Sequence, residues 1–221
     1  LKDVKKGFFV DVGANHEELH SVTKMFYDRG WSGINIEPNA KLINELKKKR
    51  TRDVNLQIGL SNKNGHMSFR EYPDYDGLST LSKDIKDANA KSQYAYIDYK
   101  IPVKKLSDVL GEQKVKKIDF LKIDVEGHEL QVLEGNDWEK YRPKLIVIEG
   151  TESTRTLPFL FNAGYKVEFF DGLNFYLIEE SDITTTIHNF AGEVLTKGIR
   201  TRAENELESI NNVLQEKATF M

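Results

Sequence analysis

Residues 8–20, FFVDVGANHEELH, decide how the rest of the chain is read. An apolar run stops at Asp11, a turn with Gly13 and Asn15 follows, and Glu17 and Glu18 come directly after. The run GFFVDV at 7–12 predicts a buried strand. Apolar residues at Leu19, Val22, Met25 and Phe26 predict a helix over 17–29, stopped by Gly30. Strand, glycine turn, helix is how many nucleotide-binding α/β units begin.

The pattern repeats outward. GINIEP at 33–38 predicts a second strand. NAKLINELKKKR at 39–50 predicts a helix capped by Asn39, and VNLQIGL at 54–60 a third strand. Such alternation implies parallel strands with helical crossovers. HMSFREY at 66–72 alternates like a strand. Residues 73–95 are polar and irregular, flanked by Tyr72, Tyr75, Tyr94 and Tyr96, and read either as a lid over a substrate or as an unordered loop. Order returns with strands at 99–106, 118–127 and 144–150, a helix closed by Gly135, a partly helical 153–164, and a hairpin over 165–180 around Asp171-Gly172. The expected fold is α/β: a Rossmann-like, mostly parallel sheet finished by a C-terminal antiparallel hairpin. Residues 1–180 form the expected catalytic domain. Residues 181–221 form a polar linker and an amphipathic helix, AENELESINNVLQEKA, which either packs back on the domain or serves a homo-oligomer or a larger parent chain.

The bulk properties narrow the function. The 221 residues carry a net charge of −3, against the basic excess of a nucleic-acid binder, so no nucleic-acid partner is expected. With no cysteine, disulfides, thiolate zinc sites and cysteine nucleophiles are excluded, which suits a reducing, cytoplasmic setting. No apolar run is long enough to span a bilayer and no signal-peptide pattern appears. The chain starts at Leu1, as a trimmed chain or a piece of a larger one would.

The turn after the first strand bears on the ligand. The dinucleotide fingerprint Gly-x-Gly-x-x-Gly would fall on Gly13, Asn15 and Glu18 and fails at two of three positions. Pyrophosphate needs free helix N–H groups and positive potential. Glu17 and Glu18 in a first helical turn would oppose it. S-adenosylmethionine has no phosphate and carries a sulfonium and an ammonium, so a turn with Asp11, Gly13 and nearby acids suits it better. Glu37, at the end of the second strand, is placed to accept hydrogen bonds from both ribose hydroxyls, as an acid there also does for NAD.

FVDVGAN, INIEPN, IGLSNKNG, GLSTL, FLKIDVEGHELQVLEG and LIVIEG occur in this order, and over residues 7–180 the chain resembles the FkbM-type methyltransferases. KIDVEGHE is the most specific part. Where that pattern often has a glycine two residues after the Asn of GAN, this chain has Glu17. The resemblance implies a class I S-adenosylmethionine-dependent O-methyltransferase acting on a hydroxyl of a sugar, glycan or polyketide product, often in surface-polysaccharide biosynthesis. It implies cofactor contacts from Asp11, Gly13, Ala14, Asn15, Glu37, Pro38, Ser61, Ser79 and Asp124.

Ligands in open α/β sheets sit beyond the carboxyl ends of the strands. Asp124, Glu126 and His128 follow the fourth parallel strand and Glu149 ends the fifth, so these four are the candidates for removing the acceptor proton. A base elsewhere, such as His16, is the alternative. Asp124 and Glu149, joined by Glu126, could instead hold Mg²⁺ or Mn²⁺, which would acidify the hydroxyl. DVEG stands where many nucleobase amino-methyltransferases carry Asn/Asp-Pro-Pro-aromatic, which favours oxygen over exocyclic nitrogen. Three other readings compete: RNA methylation, disfavoured by the acidic balance; an NAD-dependent oxidoreductase, disfavoured by the broken fingerprint; and a non-enzymatic scaffold for a glycosyltransferase, disfavoured by the complete set of Asp11, Gly13, Glu37 and Asp124.

Overall fold

The computed structural model describes residues 1, 4–19, 21–91 and 93–180. The predicted linker and amphipathic helix at 181–221, with the oligomer or parent-chain role assigned to them, lie outside the described residues. Five parallel strands and a hairpin form a seven-stranded sheet in the order β3-β2-β1-β7-β8-β10-β9. The strands are β1 (Phe8–Val12), β2 (Ser32–Ile36), β3 (Val54–Leu56), β7 (Phe120–Ile123), β8 (Leu145–Glu149), β9 (Tyr165–Phe170) and β10 (Asn174–Glu179). β10 runs antiparallel to both β8 and β9. The mostly parallel sheet with a terminal hairpin is the architecture that the sequence predicts.

The chain leaves β1 in one direction to β2 and later returns on its other side at β7. This reversal opens a crevice at the carboxyl ends of β1 and β7, where Gly13 and Asp124 follow the last strand residues. The central strands are apolar on both faces because both faces are covered. Val10, Val12, Ile123 and Ile148 pack into one core cluster; Phe9, Phe120 and Val147 pack on the other face with Phe26 and Trp31.

Two predicted boundaries move. The helix expected over 17–29 shrinks to α1 (Lys24–Asp28), and Glu17–Leu19 are not helical. Leu19 is exposed, and Arg50, fully buried, ties this stretch down as a loop by donating to the Glu17 carbonyl and to Ser21. The third strand splits into β3 and β4 (Gly59–Leu60), and β4 joins a second sheet, β4-β6-β5, with β5 (Gly65–Glu71) and β6 (Ile97–Lys104). The helix α2 (Ala40–Lys49) begins as predicted, with Asn39 Oδ1 accepting the N–H groups of Lys41 and Leu42. The segment expected to be irregular holds α3 (Lys83–Ala88) between short 3₁₀ turns at Asp76–Leu78 and Asn89–Lys91. The remaining helices are α4 (Leu106–Glu112), which the sequence did not announce, α5 (Glu129–Glu134) and α6 (Ser153–Asn162). Among the described residues, no helix is long and apolar enough to cross a membrane.

Candidate active site

The turn after β1 is shaped by a contact. Gly13 has φ +74°, and a Cβ there would lie 1.8 Å from the Asp124 carbonyl oxygen, so only glycine lets the β1 and β7 turns touch. The N–H groups of Gly13 and Ala14 both donate to the Ile36 carbonyl, at 3.0 and 3.1 Å. Asn15, itself left-handed at φ +49°, donates its N–H to Glu37 Oε2 at 2.9 Å. All three N–H groups of the turn are therefore spent inside the protein, and none is left for a phosphate.

This corrects the expected reason for a phosphate-poor turn. Glu17 and Glu18 do not form a first helical turn. Glu17 is buried and paired with Lys49 at 2.5 Å, and His16 Nδ1 lies 3.2 Å from its carboxylate. The turn repels phosphate by having no donors to offer rather than by an acidic helix start.

Glu37 is 6% exposed and faces the crevice at the end of β2. Its second oxygen accepts the Asn39 N–H at 2.8 Å. Burial outweighs these two donors and pushes its carboxyl up to about 7.

Lys122 was not singled out from the sequence. It is a cation inside the otherwise apolar central strand β7, 8% exposed. Its Nζ donates to the Gly13 carbonyl at 2.6 Å and lies 3.3 Å from Asp124 Oδ2 and 3.6 Å from Asp11 Oδ1. Burial works against its charge, but Asp124 and Asp11 outweigh burial and raise its pKa. Asp11 lies beneath the turn, with Oδ2 accepting the Thr23 hydroxyl at 2.6 Å and Oδ1 without a hydrogen-bond partner. The acidic turn is thus a partly neutralised unit. Its legible signal was a lysine in a strand whose other residues are all apolar.

Of the four proposed catalytic side chains, the structure brings three together. Carboxylate oxygens of Asp124, Glu126 and Glu149 all lie within 4.8 Å of one another. Burial, then the Glu149 and Asp124 charges, pushes the Glu126 carboxyl up to about 8; burial and Asp124 raise that of Glu149. His128 does not join them. It is buried, and its Nε2 lies 3.2 Å from Ser61 Oγ. Burial, then Lys86, pushes its imidazole down to about 4. Ser61, expected on the cofactor, is likewise turned to this internal bond.

Asp124 and Glu126 open onto one cleft with about 640 Å³ of unfilled space, its open mouth included; Lys122, Glu149, His128 and Ser61 do not line it. Gly13, Asn15, Glu37, Pro38, Ser79 and Asp124 line it as the sequence places them, and Glu126 lines the same wall. Ala14 faces away, packed against Ile43 and Leu46. The insert between β5 and β6 contributes Asp76, Gly77, Ser79, Thr80 and Leu81 to the lining. Tyr75, half-exposed and next in the chain to Asp76, packs tilted against Tyr94, with ring centroids 4.5 Å apart and planes at 54°.

The residues fit a cationic, phosphate-free adenosine ligand: a turn with no spare N–H and a buried carboxylate, Glu37, at the end of β2 in the same cleft. The carboxylate trio also fits a hard cation, since its donors are all oxygens and close enough to share one ion.

A family model described as the methyltransferase FkbM domain matches residues 11–167, more than half of the chain. Methyltransferase 1 of Beauveria bassiana is 36% identical over 96 residues, which cover 38% of this chain and 39% of that protein. Methyltransferase sdnD of Sordaria araneosa is 35% identical over 127 residues, covering 47% of this chain and 48% of that protein. The matches thus span less than half the length of either relative. The crystal structure of methyltransferase FkbM from Methylobacillus flagellatus superposes with a TM-score of 0.51 at 16% identity, over 78% of this chain and 44% of that one.

Proposed function

Since the chain belongs to the FkbM methyltransferase family, we propose that it transfers a methyl group from S-adenosylmethionine to a hydroxyl oxygen of a sugar or glycan. One observation carries the proposal: one cleft joins a turn with no free N–H to the carboxylates of Asp124 and Glu126, with that of Glu149 beside them. Such a cleft suits a sulfonium donor at one end and a hydroxyl that must lose its proton at the other. The setting is proposed to be cytoplasmic, as polysaccharide building blocks and a cysteine-free chain suggest.

The donor supplies an electrophilic methyl carbon, whose bonding pair returns to sulfur as the new O–C bond forms. Glu37 accepts the ribose hydroxyls. Lys122 holds the Gly13 carbonyl and the Asp124 carboxylate in register, so the donor turn and the reacting wall keep their spacing. Glu126, with Asp124 and Glu149 beside it, takes the acceptor proton. The half-exposed ring of Tyr75, next in the chain to the cleft residue Asp76, offers an aromatic face for a sugar ring. A magnesium or manganese ion, if bound by Asp124, Glu126 and Glu149, would supply the same proton loss by lowering the hydroxyl pKa.

Calorimetric titration with S-adenosylhomocysteine and NAD tests the donor. Binding of S-adenosylhomocysteine alone is expected; NAD binding alone would end the proposal. Transfer of labelled methyl groups to a panel of glycosides, with RNA as a parallel acceptor, tests the other half. Label on RNA and on no glycoside would replace the sugar by RNA.

A further inference from the structure

We propose that Thr80 and Glu129 are positioning residues that clamp the Glu126–Gly127 turn from two sides and so hold the Glu126 carboxylate beside Asp124 and Glu149. What that carboxylate does rests on the function proposed above; where it is held does not.

The turn is unusual. Glu126 has φ +54° and Gly127 has φ +83°, two consecutive residues in the left-handed region. Glycine tolerates this, but a glutamate does so only where its surroundings impose it. The location adds a second cost. With carboxylate oxygens of Asp124, Glu126 and Glu149 within 4.8 Å of one another, like charges push Glu126 out of the group. Two separate elements oppose both tendencies.

From α5, a single oxygen of Glu129, Oε1, accepts the N–H of Val125 at 2.9 Å and of Gly127 at 3.2 Å, gripping the backbone on both sides of residue 126. From the insert, the Thr80 hydroxyl donates to the Glu126 carbonyl at 2.7 Å. Both clamp residues are buried, Thr80 at 1% and Glu129 at 0% exposure. Thr80 is itself braced: it exchanges two backbone hydrogen bonds with Arg70 at 2.9 Å, and Arg70 forks onto Asp98. The α3 helix closes over the same turn, since a Cβ on Gly127 would lie 2.7 Å from Ile85. The insert therefore lines the cleft and also holds the neighbouring turn that carries the reacting carboxylate. This gives KIDVEGHE a physical reading in which its second glutamate, Glu129, supports its first.

Four variants test the clamp. Thr80→Val keeps the shape and loses the donor, while Thr80→Ser keeps the donor. Glu129→Leu loses the acceptor, and Glu129→Gln keeps an oxygen able to accept both N–H groups. Crystal structures are expected to show residue 126 leaving the left-handed region in the Val and Leu variants and staying there in the Ser and Gln variants. On a hydroxyl acceptor that the wild type methylates, kcat should fall about 10–100-fold in the Val and Leu variants, the scale of a small misplacement of a reacting group. KM and S-adenosylhomocysteine affinity should stay within about twofold, and Ser and Gln should restore kcat to within about threefold. If Glu129→Leu does not fold, the near-isosteric Thr80→Val still decides the matter. An unmoved Glu126 or undiminished kcat in Thr80→Val overturns the proposal. If the wild type methylates no hydroxyl, the proposed function fails, and the crystallographic comparison still decides the clamp.

Discussion

Protons should be released when the donor binds, and Glu37 is their source. Burial holds its carboxyl at about 7 in the free protein, against an ordinary 4.5. A ribose hydroxyl donating to the carboxylate favours the ionised form. If binding returns the pKa toward 4.5, each pH unit below 7 costs a factor of ten in affinity, equivalent to about 1.36 kcal/mol. From pH 7, where half of Glu37 is already protonated, to pH 5.5 the dissociation constant for S-adenosylhomocysteine should therefore rise by roughly 15-fold. Stability runs in the corresponding direction. A carboxyl whose folded pKa is raised stabilises fully below its unfolded pKa, and that contribution is lost as pH rises through the folded value. The free protein should thus lose stability from Glu37 between about pH 4.5 and 7, and ligand should protect most above pH 7. Calorimetry at pH 5.5, 6.5 and 7.5, in buffers of different ionisation enthalpy, measures both affinity and protons released. Glu37→Gln tests the residue, because it removes this proton from the titration. Glutamine would present an amide N–H to one of the two backbone donors, Asn15 or Asn39, so the variant should also lose about 1–3 kcal/mol of stability. Superimposable pH profiles for wild type and Glu37→Gln would refute the assignment of Glu37 to the ligand.

Lys122→Met should destabilise the fold by about 3–5 kcal/mol in denaturant titrations, because it leaves the buried Asp11 carboxylate without its cation and the Gly13 carbonyl without its donor, while Asp124 stays partly solvated. Gly13→Ala should abolish S-adenosylhomocysteine binding in calorimetry, since its methyl group would sit 1.8 Å from the Asp124 carbonyl oxygen and φ +74° would be strained as well. Glu126→Gln should lower kcat by roughly 10²–10⁴ with donor affinity retained. Chelation separates the two routes for proton loss: turnover abolished and restored by magnesium or manganese marks a metal at the trio, and unchanged turnover marks a base.

The central sheet was legible because its strands are continuous apolar runs separated by helical periodicity, a pattern with few alternative folds. The second sheet was not, because β4 is only two residues long and its partner is β6, forty residues on. The helix predicted over 17–29 failed for another reason: its apolar spacing is real, but Arg50, at the C-cap of α2, holds the Glu17 carbonyl and competes with helix hydrogen bonding there. No local pattern announces a partner 33 residues away.

The site was legible in its residue types and only partly in its groupings. Acids at the ends of β7 and β8 had to converge, since parallel central strands deliver their ends to one crevice. His128 belongs to the same motif yet turns away, because it follows two left-handed residues, and a two-residue change of backbone direction reverses which side a side chain faces. The same reversal sends Glu129 back under the turn, where its carboxylate accepts two backbone N–H groups. In KIDVEGHE the alternation of strand geometry therefore holds only to Asp124. Lys122 and Asp124 share a face with Asp11, its ladder partner across β1, as strand periodicity requires. From Glu126 onward the backbone conformation, not the spacing, assigns each side chain its role. A motif that crosses from a strand into a left-handed turn can be read residue by residue up to the turn. Beyond it, the positive φ at Glu126 is the fact that must be known before the acids can be sorted into the one that faces the cleft and the one that supports it.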